Sequence, residues 1–412
     1  MSTAQTPIEQ AQASAHRRRA TAIIFGIVLL DMMGIGLIAP LTPYLTERFS
    51  DSAIQVGVLT AAYSAAQFIF APVLGALSDR FGRRPVLIFS LLGTAIGYFI
   101  FAQAQVYWLL VAARLLDGAT GGNISTAQAY IADITPPKDR AKTFGLMGAA
   151  FGLGFTLGPG LGAALSPLHQ MAPVWAAGGF ALIAMICVIA FLPETLPPER
   201  RATGSVSFAN LNPASGLARA FAIAGVPSFL LCIFGIAFAH AEMRASLGIY
   251  AKQRFDFTQH NAEFMFVFMG VIAIIVQGGL IRIVSRFVGD RNLVLSTLPF
   301  AAVGFILLPL GATWQLMLGA MALAAVGMGL AGPNLNSMLS RCAGEREQGL
   351  VMGASQSVSS LALVVGPMIA TPLYDHVGTA WPFVSAGGSI LLGWFVFAAL
   401  VKSPPAKAAS ES

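Results

Sequence analysis

Residues 75–87 read GALSDRFGRRPVL, a charged and glycine-rich knot between two apolar runs at roughly 54–77 and 86–104. Each run is long enough to cross a bilayer as a helix, which takes about 20 apolar residues. Few folds allow a chain to leave hydrocarbon and re-enter it within so short a polar segment. The knot is therefore a tight turn between two membrane helices. It sets Asp79, Arg80, Arg83 and Arg84 at one membrane face.

The same reading extends to the whole chain. It is 56% hydrophobic and 10% charged, with mean hydropathy +0.74, whereas soluble domains carry about 25% charged residues. Apolar runs fall near 20–45, 54–77, 86–104, 107–132, 143–166 and 172–193, then near 222–250, 262–286, 292–311, 314–339, 348–374 and 380–402. They are continuous, which excludes the alternating strands of a membrane barrel. The expected fold is an all-α polytopic membrane protein of twelve transmembrane helices. A polar tail at 1–19 precedes the first run, which is too long for a cleavable signal core. Cys187, Cys232 and Cys342 offer no disulfide framework and read as packing thiols.

The basic balance, net +6, has a topological cause. Of 24 Lys and Arg, only Arg48, Lys252 and Arg254 fall in one set of loops, and Arg114 and Arg244 lie inside apolar runs. The rest lie in the opposite set of loops and tails, including Arg17, Arg18, Arg19, Lys138, Arg140, Lys142, Arg200, Arg201, Arg286, Arg291 and Arg346. That asymmetry places both termini in the cytoplasm and argues against a nucleic-acid partner.

Two halves repeat. Gly145 precedes Gly158-Pro159 by 13 residues, and Gly353 precedes Gly366-Pro367 by the same 13, at an offset of 208. Gly82 of the knot has a counterpart, Gly289, 207 residues on. Halves of six spans each share one orientation, the parallel repeat of rocking transporters with a midplane site. The expected domains are two six-helix bundles at 20–193 and 220–402, a polar cytoplasmic linker at 194–219 and a tail at 403–412.

Three segments resemble the major facilitator superfamily. Gly75, Asp79, Arg80, Gly82, Arg83 and Arg84 fill its G-x-L-x-D-R-x-G-R-R signature. Gly154, Gly158, Pro159 and Gly162 fit the fifth-helix signature associated with antiporters. The string from Leu30 to Pro40, with Asp31, Gly34 and Gly36, is similar to the first-helix motif of twelve-helix drug/proton antiporters, the tetracycline/proton antiporters among them. The resemblance implies a monomeric, proton-driven exporter of a small amphipathic or drug-like compound in the bacterial inner membrane, with no cofactor beyond the proton gradient. It also implies that Asp31 and Arg114 act in proton coupling and that the fifth helix seals the halves on the extracellular side. The chain departs from tetracycline pumps at Gly97, Ala273 and Ala301, where those carry an acid, a histidine and an acid. Glu242 then becomes the candidate substitute in the second half.

Ionised groups at mid-membrane cost at least about 2.5–3.5 kcal/mol, so each is a functional candidate. Asp31 lies in the first span, and Arg114 and Asp117 share a face of the fourth at a spacing of three. Burial favours a protonated carboxyl and a nearby guanidinium favours the ionised form. An acid whose distance from an arginine changes with conformation therefore picks up and releases a proton. Asp117 reads either as part of that path or as the neutralising neighbour of Arg114. Glu242 reads as a proton site or as the partner of nearby Arg244, and His240 as an interfacial polar group or a relay. Tyr63, Gln67, Asn123, Gln128, Gln277, Asn334, Asn336 and Gln356 are candidates for the substrate cavity or for interhelical hydrogen bonds. In the knot, Asp79 is expected at the N-terminus of the eleventh helix near Gly349, and Arg83 or Arg84 against Asp133, as contacts of a state closed on the cytoplasmic side. The G-x-G-x-x-G string at Gly327 lies inside an apolar run and is no dinucleotide site. No metal cluster or nucleotide loop is evident, and an enzyme is not expected. Rival functions are a facilitator or symporter of a metabolite, and a membrane receptor that transports nothing.

Overall fold

The computed structural model describes residues 7–50, 52–136, 140–201, 213–342 and 347–401. Lys138, Arg346, the tail at 403–412, residues 1–6 and 202–212, and the side chains of Arg17, Arg18, Arg140, Lys142 and Arg200 lie outside that description. Among the described residues every regular element is helical. The chain runs α1 (Pro7–Ile38), α2 (Thr42–Thr46), α3 (Ala53–Phe81), α4 (Arg83–Ala102), α5 (Tyr107–Thr120), α6 (Asn123–Ile134), α7 (Arg140–Leu165) and α8 (Ala172–Phe191). It continues as α9 (Pro213–Phe221), α10 (Val226–Phe255), α11 (Gln259–Ile275), α12 (Ile281–Phe287), α13 (Asp290–Leu307), α14 (Trp314–Cys342), α15 (Gln348–Pro372) and α16 (Trp381–Leu400). Helix is what this composition dictates, because a backbone in hydrocarbon must satisfy its own polar groups. A π-helical turn, Val276–Leu280, joins α11 to α12 into one span, and another, Leu373–Val377, extends α15.

Among the described residues, eleven helices are long and apolar enough to cross a membrane. The fourth expected span, 107–132, is broken into α5 and α6. At the break the Gly122 amide turns back onto Thr120 O at 2.8 Å, which ends the α-helical ladder. The glycines are also packed closely against α3: a Cβ on Gly122 would sit 2.6 Å from Leu74, and one on Gly118 would overlap the Tyr63 carbonyl. Two other limits shift. The first helix begins at Pro7, inside the expected polar tail, and ends at Ile38, with α2 filling the remainder of the expected 20–45 span.

The chain forms two compact units. One gathers α1, most of α3 from Ala62, α4 to α8, and Gln259–Val267 at the start of α11. The other gathers Thr46–Ala61 at the start of α3, then α9, α10, the rest of α11 and α12 to α16. In the first unit α1 packs on α7 and α8, and α4 on α5 and α8; in the second α10 packs on α15 and α16, and α13 on α14 and α16. The same pairing scheme thus occurs twice.

Small residues make these contacts, as expected where lipid removes the hydrophobic drive between helices. On α7, a Cβ on Gly158 would lie 2.6 Å from Met33 O of α1, and one on Gly154 would collide with Met32. On α15, a Cβ on Gly366 would lie 2.7 Å from Ala241 Cβ of α10. Gly36 of α1 faces Pro159 in turn, so the first-helix and fifth-helix motifs are two sides of one interface. Ile24, Ile27, Met32, Leu91, Tyr130 and Val188 fill the core beside it.

Candidate functional site: a buried acid–amide pair beside a caged arginine

The break in the fourth span positions the first unit's polar groups. Asn123, the first residue of α6, donates from Nδ2 to Asp31 Oδ1 of α1 at 2.9 Å, and both are buried. Asn123 Oδ1 is buried without a hydrogen-bond partner among the described residues. Arg114 of α5 lies 3.0 Å from Asp117, one helical turn on, as the spacing of three requires. The charge of Arg114 is matched by Asp117, one of the two readings of that acid, and the groups meeting Asp31 are Asn123 and, at electrostatic range, Asp117.

Aromatic rings enclose the guanidinium. The Arg114 carbon sits 5.3 Å from the ring centre of Tyr63, 5.5 Å from Tyr98 and 5.0 Å from Phe101, within cation–π range. Its Nε is buried without a hydrogen-bond partner among the described residues, while its Nη2 makes the ion pair with Asp117. Gln67 donates to Tyr63 Oη at 3.3 Å and towards Gly121 O at 3.4 Å, tying α3 to the break. Of the cavity candidates, Tyr63, Gln67 and Asn123 therefore belong to one cluster with Asp31, Arg114 and Asp117. Tyr98 and Phe101 join it without having been singled out from the sequence.

The remaining candidates lie elsewhere. Gln128, Gln277 and Gln356 are exposed side chains on α6, the π-turn and α15. Asn334 is buried and donates to its own helix at Leu330 O, 2.7 Å away. Asn336 accepts from Ser355 Oγ at 3.1 Å, linking α14 to α15. Glu242 of α10 is fully buried, and neither carboxyl oxygen has a hydrogen-bond partner among the described residues. Ser385 of α16 is its polar neighbour, without completing a hydrogen bond of ordinary geometry. His240, two residues earlier, is exposed.

The knot is an ion-pair chain. Arg83, largely buried, meets Asp79 at 2.6 Å, Asp133 at 3.1 Å and Ser78 Oγ at 2.6 Å. Arg80 lies over the Phe81 ring and Arg84 donates to Ile189 O at 2.6 Å. Asp79 thus pairs within its own segment and is half exposed. The expected Arg83–Asp133 pair is present and lies inside the first unit. Gly82 has φ 106°, which glycine adopts without strain, and a Cβ there would strike the Glu194 carboxylate. That carboxylate accepts from the amides of Arg83 and Arg84 at 2.9 and 3.1 Å, capping α4 where negative charge is favoured. A Cβ on Gly75 would meet nothing within 4 Å.

Two further carboxylates hold helix starts. Asp375 accepts from Ser52 Oγ at 2.6 Å and from the amides of Ala53 and Ile54 at 3.1 and 3.2 Å, at the N-terminus of α3 in the second unit. Glu263, fully buried, accepts from Ser166 Oγ at 2.8 Å and Gln259 at 3.0 Å, while a Cβ on Gly162 would approach it to 3.3 Å. That places the start of α11 against the end of α7 in the first unit.

Charged groups buried within membrane helices mark functional sites, substrate and ion pathways among them. The Major Facilitator Superfamily profile matches residues 24–354 and 282–412, and the chain belongs to that family. It is a membrane transporter, not an enzyme. The tetracycline resistance protein, class C, of Escherichia coli is 36% identical across 92% of this chain and 94% of its own length. Human major facilitator superfamily domain-containing protein 10 is 30% identical across 96% of this chain and 95% of its own. The crystal structure of that protein, described as the human organic anion transporter MFSD10 (TETRAN), aligns with TM-score 0.71 over 95% of this chain and all of the other. The nucleoside transporter NupG aligns with TM-score 0.72 over 93% of this chain at 14% identity, a likeness of fold alone.

Proposed function

We propose that this protein is a proton-coupled antiporter that exports a small amphipathic or drug-like compound from the bacterial cytoplasm by alternating access. In this reading α5 and α6 together form a twelfth crossing. The repeated pairing scheme supports two parallel six-helix bundles, with both termini cytoplasmic and the protein working as a monomer. The observation that carries the reading is the Asp31–Asn123 pair: a buried acid held by a neutral amide beside a cation already matched by Asp117. An amide serves both protonation states. Its Nδ2 donates to the carboxylate, and after a flip its unused Oδ1 accepts from the carboxylic O–H. Asp31 thus takes a proton in one conformation and yields it in the other, and each state biases the equilibrium between them.

Glu242 and Asp117 are the further proton candidates. The knot, from Gly75 to Arg84 with Asp133, is proposed as the conformational switch, and Gly154, Gly158, Pro159 and Gly162 as the rocking surface. Substrate is proposed to bind near Tyr63, Gln67 and Asn123, with Gln128, Gln277, Asn334 and Gln356 as outer candidates. The unpartnered Nε of the caged Arg114, together with the relative described as an organic anion transporter, favours one second reading: an organic anion as substrate.

Everted membrane vesicles with an imposed proton gradient test the coupling. Addition of substrate is expected to discharge the gradient, with lipophilic cations and aromatic carboxylates as the two probe classes. Substrate flux that leaves the gradient intact would mean a facilitator.

A further inference from the structure

Beyond the transport path, a cavity of about 360 Å³ opens in the first unit between α1, α4 and α8. Two arginines line it, Arg19 and Arg84, with Ala20, Ile23, Phe191 and Leu192 supplying apolar wall. Its depth in the bilayer follows from the helices. The apolar spans Arg19–Ile38 and Arg83–Ala102 begin at this cavity and Ala172–Phe191 ends there, so it sits at a membrane–water boundary. The boundary is the one beside the basic loops.

The charge at the cavity is incompletely used. The Arg19 guanidinium is exposed and lies 6.0 Å from the Phe191 ring centre. Arg84 donates one nitrogen to Ile189 O, while its Nε is buried with no hydrogen-bond partner among the described residues. Among the described residues no acidic side chain lines the cavity. The nearby Glu194 is occupied by the amides of Arg83, Arg84, Thr195 and Leu196. Two guanidinium groups above an apolar wall at headgroup depth match a phosphodiester that carries acyl chains.

We propose that this cavity binds the headgroup of an anionic phospholipid, the phosphate between Arg19 and Arg84 and the lipid's glycerol end against Ile23 and Phe191. A free phosphate shares the charge but gains nothing from the apolar wall. Native mass spectrometry of the purified full-length protein, titrated with phosphatidylglycerol or phosphatidylcholine, tests the assignment. Wild type is expected to retain phosphatidylglycerol in preference. Arg19→Gln is expected to weaken that retention about fivefold, the contribution of one basic group near a lipid surface. Arg19→Lys should keep most of it. Ala190→Trp, which fills the cavity without touching a charge, should remove it at an unchanged unfolding temperature. Equal retention of phosphatidylcholine by wild type would overturn the proposal, as would undiminished retention in folded Arg19→Gln. Displacement of the lipid by millimolar inorganic phosphate would reassign the site to soluble anions.

Discussion

Asp31 in the first unit and Glu242 in the second are both buried acids on helices that begin the repeated pairing scheme, yet they are held in opposite ways. Asp31 has an amide partner and stands beside a second carboxylate, an arginine and three aromatic rings. Glu242 has no hydrogen-bond partner among the described residues and packs where Gly366 brings α15 close to α10. A carboxylate without partners in low dielectric is costly to ionise, whereas Asp31 has a partner suited to either form. The comparison teaches that a duplicated scaffold does not duplicate chemistry. The glycine contacts recur in both units, while the polar network was found in one.

The largest expected effect breaks the network at its cation. Arg114→Ala leaves Asp117 buried without its counter-charge, a loss of about 3–5 kcal/mol for a broken buried pair. Thermal unfolding in detergent should show it, and a stability close to wild type would mean that the pair is not buried in the working protein.

Next come the equivalent glycines. Gly158→Leu and Gly366→Leu each overfill a close helix contact, at about 1–3 kcal/mol, and should lower the unfolding temperature by similar amounts. A marked inequality would argue against the repeat in packing.

The smallest effect belongs to Glu242. Glu242→Gln keeps the shape and buries no charge, so its stability should stay within about 1 kcal/mol of wild type, and uphill export should fall less than in Asp31→Asn. An equal or greater transport loss would move the principal proton site to the second unit.

How much of this was legible beforehand depended on range along the chain. The Arg114–Asp117 pair and the close packing of Gly158 follow from helical spacing and residue size. The helix break does not, because hydropathy reads across Gly121 and Gly122 as across any small residues in an apolar run. Tyr98 and Phe101 look like ordinary core aromatics until the fold brings them around a guanidinium. Glu194, Glu263 and Asp375 were missed because each has partners far along the chain, as when Glu194 caps a helix that begins 111 residues earlier. Gly75 gives the opposite lesson: it fits the signature, but nothing approaches the site of its missing Cβ in this structure.

The central claim is that Asp31 carries the coupling proton. Its most direct test is Asp31→Asn, reconstituted with a known substrate and assayed in two modes on the same vesicles. Export against a gradient driven by ΔpH should be lost, while exchange of labelled for unlabelled substrate at equal concentrations continues, because the amide mimics the protonated acid and leaves the path intact. Uphill export by Asp31→Asn with unchanged pH dependence would contradict the account.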